Sequence, residues 1–159
     1  DRLGFARASA GFWNGRTSAL GALFAVQTIA NGGMRVRMHT TTRSPVRVEE
    51  GRAVSTSSAT ELTRMMQLTT RSGTASKVFR KARRASLSGI SVAAKTGTLV
   101  GDKPARMYSW FTGFAPAESP EIAIAVVLAN DITWTMKGNE VGREVLADYF
   151  DQARVRRRP

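Results

Sequence analysis

The sequence predicts an α+β fold in which helices flank an antiparallel sheet. Two helix-type segments lie in the first half of the chain, three β-type runs follow Gly89, and one more helix-type segment closes the sequence. Such segregation of helices and strands along the chain is typical of α+β proteins, because parallel α/β folds alternate the two. The chain has 159 residues, 42% of them hydrophobic, which suits one globular domain or part of one.

The first helix is predicted over residues 17–33. Thr17 or Ser18 can cap it, its body is rich in Ala and Leu, and Asn-Gly-Gly at its end supplies a left-handed stop. Because this segment is apolar on nearly all sides, we expect it to be buried. Residues 34–42 then alternate apolar and polar side chains, which predicts a short exposed strand, and residues 44–52 carry turn signals.

A second helix is predicted over residues 57–73, where Ser58 followed by Glu61 forms a capping pattern. A further short helix is expected after Gly73, along SGTASKVFRKARR. The strand-type runs are SVAAKT, MYSWFTGFAP and EIAIAVVLAND, which Gly, Pro and Asp residues bound. Short loops join them, so they predict an antiparallel meander, whose third strand is expected to need another neighbour. A closing helix is predicted over residues 137–153.

Charge and residue usage exclude several classes of site. The net charge is +12, and from Arg64 to Arg106 the single acid is Asp102. We interpret this as the solvated surface of an Arg-rich protein; attraction to an anionic membrane or wall polymer is the alternative. Nucleic-acid binding is disfavoured because no aromatic residues interleave with the basic ones. There is no cysteine, and the single histidine, His39, has no acidic neighbour, so metal and Ser-His-Asp sites lack their residues.

The apolar runs are too short for a membrane helix. The two longest span residues 19–26 and 122–129, against the roughly 20 residues that a membrane helix needs. No signal peptide is visible at the start of the sequence. Any membrane anchor of the parent protein is therefore expected outside this chain.

The residues Lys95-Thr96-Gly97-Thr98, hereafter the KTGT motif, could belong to either of two kinds of site, a phosphate-binding loop or a carboxylate-binding strand. A phosphate loop would need a glycine at Ala94 and a helix starting at the lysine, but the glycines and Pro104 that follow would break that helix. A strand would place the lysine and Gly97 on one face and both threonines on the other. An ammonium and two hydroxyls suit a carboxylate ligand. Gly97 would let the ligand's backbone lie close to the strand.

The order of motifs resembles the end of a penicillin-binding transpeptidase domain. The resembling parts are a helix ending in Ala-Asn-Gly-Gly, the segment SGTASKVF, the KTGT motif, the run WFTGFAP, the run PEIAIAVVLAN and a closing helix. Together they cover roughly residues 17–150 in the family's order. The resemblance is closest to the class B, monofunctional type, because the loop after the motif runs directly into WFTGFAP. Serine β-lactamases share the fold and the K-T-G strand and rank second.

The resemblance implies roles for the four motif residues. Lys95 would place positive charge beside a serine-motif hydroxyl and the substrate carboxylate. The hydroxyls of Thr96 and Thr98 would bind the carboxylate of a terminal D-alanine or of a β-lactam. The backbone N–H of Thr98 would form half of the oxyanion hole, and Gly97 would keep the strand open. Trp110, Phe111 and Phe114 are expected in the core rather than in the site.

The family's other two motifs, S-x-x-K and S-x-N, are absent from these 159 residues. We therefore expect residues 1–153 to be the C-terminal part of a transpeptidase domain, followed by a basic tail over residues 154–159. The implied function is peptidoglycan D,D-transpeptidation outside the cytoplasm, without a cofactor or metal. The implied partners are a stem peptide ending in D-Ala-D-Ala, β-lactams, the missing N-terminal half and a membrane wall-synthesis complex.

Other functions stay open at this point. A non-catalytic penicillin-binding-like scaffold would lack the two upstream motifs in the parent gene. A serine β-lactamase-type fragment would share the K-T-G strand. A basic nucleic-acid-binding module would show steep salt-dependent affinity for DNA.

The first prediction concerns the 159 residues alone, which we expect neither to hydrolyse nor to retain a β-lactam covalently, and to aggregate. Without the serine of the S-x-x-K motif there is no nucleophile. The remaining charge-assisted contacts with the ligand, about 1.5–3 kcal/mol each, would be largely offset by the rigid-body freedom lost on binding, about 4 kcal/mol or more. The measurement is a denaturing gel after incubation with fluorescent penicillin. A labelled band that excess unlabelled penicillin removes would contradict this, and a Lys95→Ala control would show whether the motif was responsible.

Overall fold

The computed structural model describes residues 1–9, 15–39, 47–81, 87–102, 105–132 and 135–156. Within these ranges the elements follow one another in the order α1 (Arg2–Ser9), α2 (Ala19–Ala30), β1 (Met34–Val36), β2 (Glu49–Arg52), α3 (Thr56–Arg71), α4 (Ser76–Lys81), β3 (Ala93–Asp102), β4 (Ala105–Ala115), β5 (Ile122–Asn130) and α5 (Gly138–Arg156). The α+β class expected from the sequence is confirmed. No helix in these ranges has the length and apolar character needed to cross a bilayer.

The strands form two separate antiparallel sheets. β1 pairs with β2, and β3, β4 and β5 form a three-stranded meander with β4 in the centre. This confirms the meander predicted from the three β-type runs. β5 lies at one edge of the described sheet, so the additional neighbour expected for it is not found among the described strands.

Helix α2 matches its predicted ends and, in part, its predicted burial. The Ser18 side chain accepts a hydrogen bond from the N–H of Gly21 at 3.1 Å, and Gly32 and Gly33 end the helix with φ values of 64° and 91°. The helix packs on β4 and β5 and also contacts β1 and α3, yet Leu20 is 60% exposed. The predicted burial is therefore met only in part: Val26 and Thr28 are buried, whereas the described residues leave Leu20 largely uncovered.

The N-cap of helix α3 lies one turn earlier than the sequence pattern predicts, although the helix itself begins at Thr56, one residue before the predicted range. Its N-cap is Ser55, whose side chain accepts a hydrogen bond from the N–H of Ser58 at 3.0 Å. Ser55 has the extended backbone of an N-cap, with φ of −63° and ψ of 154°, so Ser58 lies inside the first turn. The short helix expected after Gly73 is present as α4.

Two elements, α1 and β2, have no counterpart in the sequence predictions, and a third is shorter than predicted. β2 falls where turn signals were read, because its sequence Glu-Glu-Gly-Arg has no apolar alternation. Pairing with β1 and an ion pair of 2.9 Å between Glu50 and Arg37, the residue after β1, favour its extended conformation. The strand predicted over residues 34–42 is β1, which ends at Val36, and residues 40–42 lie outside the described ranges. At the other end of the chain, α5 continues through Arg156, so the first residues of the predicted basic tail are helical.

The core consists of two clusters, one on each face of the central strand β4. Phe111 is fully buried on the face covered by α5, and Phe114 is fully buried on the face covered by α2. Gly142 allows α5 to approach this closely, because a Cβ at that position would overlap the Phe111 ring. The two buried phenylalanines confirm the core role predicted for them, whereas Trp110 is only partly buried.

Helix α3 holds the beginning of β3 in place. The Thr70 hydroxyl, which is buried, donates to the Val92 carbonyl at 2.7 Å. Near it, the Gln67 side-chain amide donates to the Ser91 hydroxyl at 2.8 Å. Since Val92 immediately precedes β3, these bonds fix the entry of that strand against the helix.

The second prediction is that Thr70→Val lowers the free energy of unfolding by about 1–3 kcal/mol, because it leaves the Val92 carbonyl buried without its donor. Thr70→Ser should keep most of the stability. The control is Thr63→Val on the same helix, since the Thr63 hydroxyl donates only to the Ala59 carbonyl one turn earlier. Denaturant unfolding checks this, and an equal loss in both valine variants would contradict it.

Candidate functional site

Strand β3 passes from the core to the surface within one residue. Ala93 and Ala94 are fully buried between the two helical layers, whereas Lys95 is exposed. Thr96 and Gly97 are half-buried, and Thr98 is again exposed. The KTGT motif therefore begins where the covering of the strand ends, which places all four predicted site residues in succession at the protein surface.

The register with β4 assigns the motif residues to the two faces of the sheet. Thr96 lies opposite Phe111 and shares the α5 face, and Thr98 lies opposite Ser109 on that same face. Lys95 and Gly97 face the other side, opposite Thr112 and Trp110. The alternation predicted from the sequence is therefore the one the strand adopts.

Strand β3 has an open edge, because it pairs with β4 on one side and has no other strand partner among the described residues. The Val92 carbonyl points to this edge, where α3 bonds to it. Backbone groups of successive residues in a strand point to alternate sides, so those of Thr96 and Thr98 share the direction of Val92. The N–H of Thr98 is thereby directed to the open edge, where a ligand atom can reach it.

Two short polar contacts organise the motif. The Lys95 ammonium donates to the backbone carbonyl of Thr96 at 2.6 Å. The Thr96 hydroxyl is hydrogen-bonded to the hydroxyl of Thr74, at an Oγ1–Oγ1 distance of 2.6 Å. Sequence reasoning noted the segment around Thr74 as part of the family resemblance but gave that residue no place at the site. A lone threonine 22 residues before its partner offers no periodic signal that could have revealed the contact.

Gly97 has room for a side chain as far as the described residues are concerned. A Cβ at this position would meet only the Trp110 side chain, at 3.4 Å, which is ordinary van der Waals contact. Its φ is not positive either, because the positive-φ glycines are Gly32, Gly33, Gly51 and Gly89. Neither packing within the described chain nor backbone conformation explains a glycine here.

Other polar features lie away from the motif. A groove of about 420 Å³ runs between α2 and α3 and contains none of the motif residues. On α3, a hydrogen bond from Arg64 lowers the pKa of the exposed Glu61 carboxyl below its ordinary value. His39 is exposed, as the sequence predicts. Within the described ranges, no three acidic or histidine side chains converge as metal ligands would.

Comparison with solved structures shows the same fold in penicillin-binding proteins. The imipenem acyl-enzyme complex of penicillin-binding protein A from M. tuberculosis is 25% identical and superposes with a TM-score of 0.66 over 94% of this chain and 35% of that chain. Another structure of that protein is 26% identical, with a TM-score of 0.60 over 84% of this chain and 32% of that one. The D,D-transpeptidase domain of a peptidoglycan glycosyltransferase from Eggerthella lenta, at 24% identity and a TM-score of 0.60, shows likeness of fold alone.

Sequence comparison points to the same group of proteins. The peptidoglycan D,D-transpeptidase PbpA of Mycobacterium tuberculosis is 32% identical over 116 residues, which are 65% of this chain and 22% of that protein. The chain thus spans about a fifth of the length of the curated relatives it matches. The family model described as the penicillin binding protein transpeptidase domain matches residues 5–151. Because that match covers nearly all of its residues, the chain belongs to the family of penicillin-binding protein transpeptidase domains.

Proposed function

We propose that this chain is the C-terminal part of a class B peptidoglycan D,D-transpeptidase and supplies the carboxylate-binding wall of its active site. The observation that carries the proposal is the KTGT motif at the exposed edge of β3, directly after the strand leaves the core. Its similarity to PbpA, whose name states the same activity, supports it. The substrate would be a stem peptide ending in D-Ala-D-Ala, and β-lactams would react in its place.

Each motif residue has a role that its placement suits. Thr96 and Thr98 share one face of the strand, so their hydroxyls can donate to one carboxylate. The N–H of Thr98 supplies half of the oxyanion hole at the open edge, where it would stabilise negative charge developing on the carbonyl oxygen under attack. The Lys95 ammonium, already held against the Thr96 carbonyl, adds positive charge beside the substrate.

The room at Gly97 supports a ligand at this edge. Because the described neighbours would tolerate a methyl group here, the reason for a glycine lies outside them. A substrate backbone lying along the strand would be such a reason, since glycine permits close approach of another chain.

The nucleophile is proposed to lie in residues that precede this sequence in the parent protein. The chain contains neither S-x-x-K nor S-x-N, and it spans only a minor part of its relatives' length. Acyl transfer needs the serine hydroxyl that would attack the penultimate D-alanine carbonyl and release the terminal D-alanine. We also propose that the parent acts outside the cytoplasm and is held at the membrane by a segment beyond these 159 residues.

The third prediction tests this function in the full-length parent protein. Fluorescent penicillin should label the parent covalently, and Lys95→Ala should reduce the labelling rate by about 100-fold or more, as expected when charge stabilisation in an active site is removed. Lys77→Ala is the control, because Lys77 is an exposed lysine on α4 rather than on β3.

The outcomes separate the alternatives. If the Lys95→Ala and Lys77→Ala variants were both labelled at the wild-type rate, the KTGT motif would not belong to the active site. Rapid release of hydrolysed penicillin would favour a β-lactamase instead. An unlabelled parent whose upstream coding region lacks S-x-x-K and S-x-N would favour a non-catalytic scaffold.

The fourth prediction separates reactivity from stability with two glycines of the same sheet. In the full-length parent, Gly97→Ala should slow labelling by about 100-fold through a small displacement of the ligand, while the melting temperature stays close to that of the wild type. Gly113→Ala should lower the stability by about 1–3 kcal/mol, because its Cβ would lie 2.6 Å from the Ala93 carbonyl oxygen. Thermal denaturation and labelling kinetics check both variants. A destabilised Gly97→Ala protein would show that folding, rather than the ligand, requires this glycine.

A further inference from the structure

Thr74 is fixed in space by the chain reversal between α3 and α4. The N–H of Gly73 donates to the Leu68 carbonyl at 2.7 Å, and the N–H of Ala75 donates to the Thr69 carbonyl at 3.0 Å. Ala75 is fully buried. The backbone N–H groups on both sides of Thr74 are thus hydrogen-bonded, and Ala75 is also buried, so the Thr74 backbone has little freedom to move. The Thr74 side chain itself is exposed.

This reversal brings the Thr74 hydroxyl onto the KTGT motif. The two oxygen atoms, Oγ1 of Thr74 and Oγ1 of Thr96, are 2.6 Å apart, which is a short O–H···O hydrogen bond. The contact joins α3 and α4 to the exposed part of β3. The bonds from α3 described above reach only Ser91 and Val92, before the strand begins.

A carboxylate ligand would determine which of the two hydroxyls donates. Each hydroxyl has one hydrogen and two lone pairs, whereas an ionised carboxylate only accepts. If Thr96 donated to Thr74, it would have no hydrogen left for the ligand. If Thr74 donates to Thr96, the Thr96 hydrogen is free for the carboxylate, and the chain of two bonds polarises the second one.

We propose that Thr74 is a positioning residue for the carboxylate-binding hydroxyl of Thr96: it donates to Thr96 and so directs the Thr96 hydrogen to the substrate carboxylate. The inference rests on the proposed function, because it needs a carboxylate at the edge of β3. A purely structural role fits the geometry less well, since the Thr74 side chain is exposed and packs little surface against the core.

The fifth prediction compares a penicillin with its methyl ester in the full-length parent. Thr74→Val should slow acylation by benzylpenicillin about 5- to 10-fold, the value of one hydrogen bond of about 1 kcal/mol. The same variant should react with the methyl ester at the wild-type rate, because the ester has no carboxylate charge for Thr96 to meet. Thr74→Ser should restore the rate with benzylpenicillin. Thr60→Val is the matched control, because the exposed Thr60 hydroxyl bonds only within α3.

Two results would overturn the inference and leave the proposed function intact. In the first, the Thr74→Val protein reacts with benzylpenicillin at the wild-type rate. In the second, its acylation rate falls by the same factor with benzylpenicillin and with the methyl ester. An unreactive wild type would instead overturn the proposed function, and the role of Thr74 with it. Melting temperatures of all variants show whether any loss in rate comes from unfolding.

Discussion

The pairing of β3 with β4, from Ala93 to Asp102, is the contact on which the candidate site depends. β4 is the central strand, and buried phenylalanines hold it from both faces, so its position is set by the two cores. The register then decides which face each residue of β3 occupies. A slip of one residue would exchange the faces of Lys95 and Thr96, bringing the ammonium to the α5 side and burying its charge against Phe111.

Much of the fold could be predicted because its signals are local. The cap at Ser18, the glycine stop after α2 and the three β-type runs are each readable from neighbouring residues, and they gave the correct elements and the meander. β2 could not be predicted, because its charged residues become a strand only through pairing with β1. The limited burial of α2 was missed for a similar reason: burial depends on what packs against a helix, and its composition does not reveal this.

The same distinction applies to the candidate site. The KTGT motif is contiguous, so its alternation on a strand follows from the sequence alone. The contact with Thr74 depends on a chain reversal that joins residues far apart in sequence, and only the three-dimensional structure brings them together. Several acidic residues of the described surface form ion pairs with arginine, as at Glu49, Glu50 and Glu61. With 24 basic residues against 12 acidic ones, the chain keeps an excess of positive charge, which attracts anionic groups at long range.

The abrupt change between Ala94 and Lys95 has an evolutionary consequence. At Ala93 and Ala94, which precede this boundary, a larger side chain would have no free space, so substitutions there would disturb packing and folding. Substitutions after it meet mostly solvent and few described neighbours, so they can change the surface at little cost to the stability of the fold. The two parts of the strand are therefore expected to vary differently among related sequences: packing limits change in the buried part, whereas the exposed part can vary as far as the proposed binding role of the KTGT motif allows.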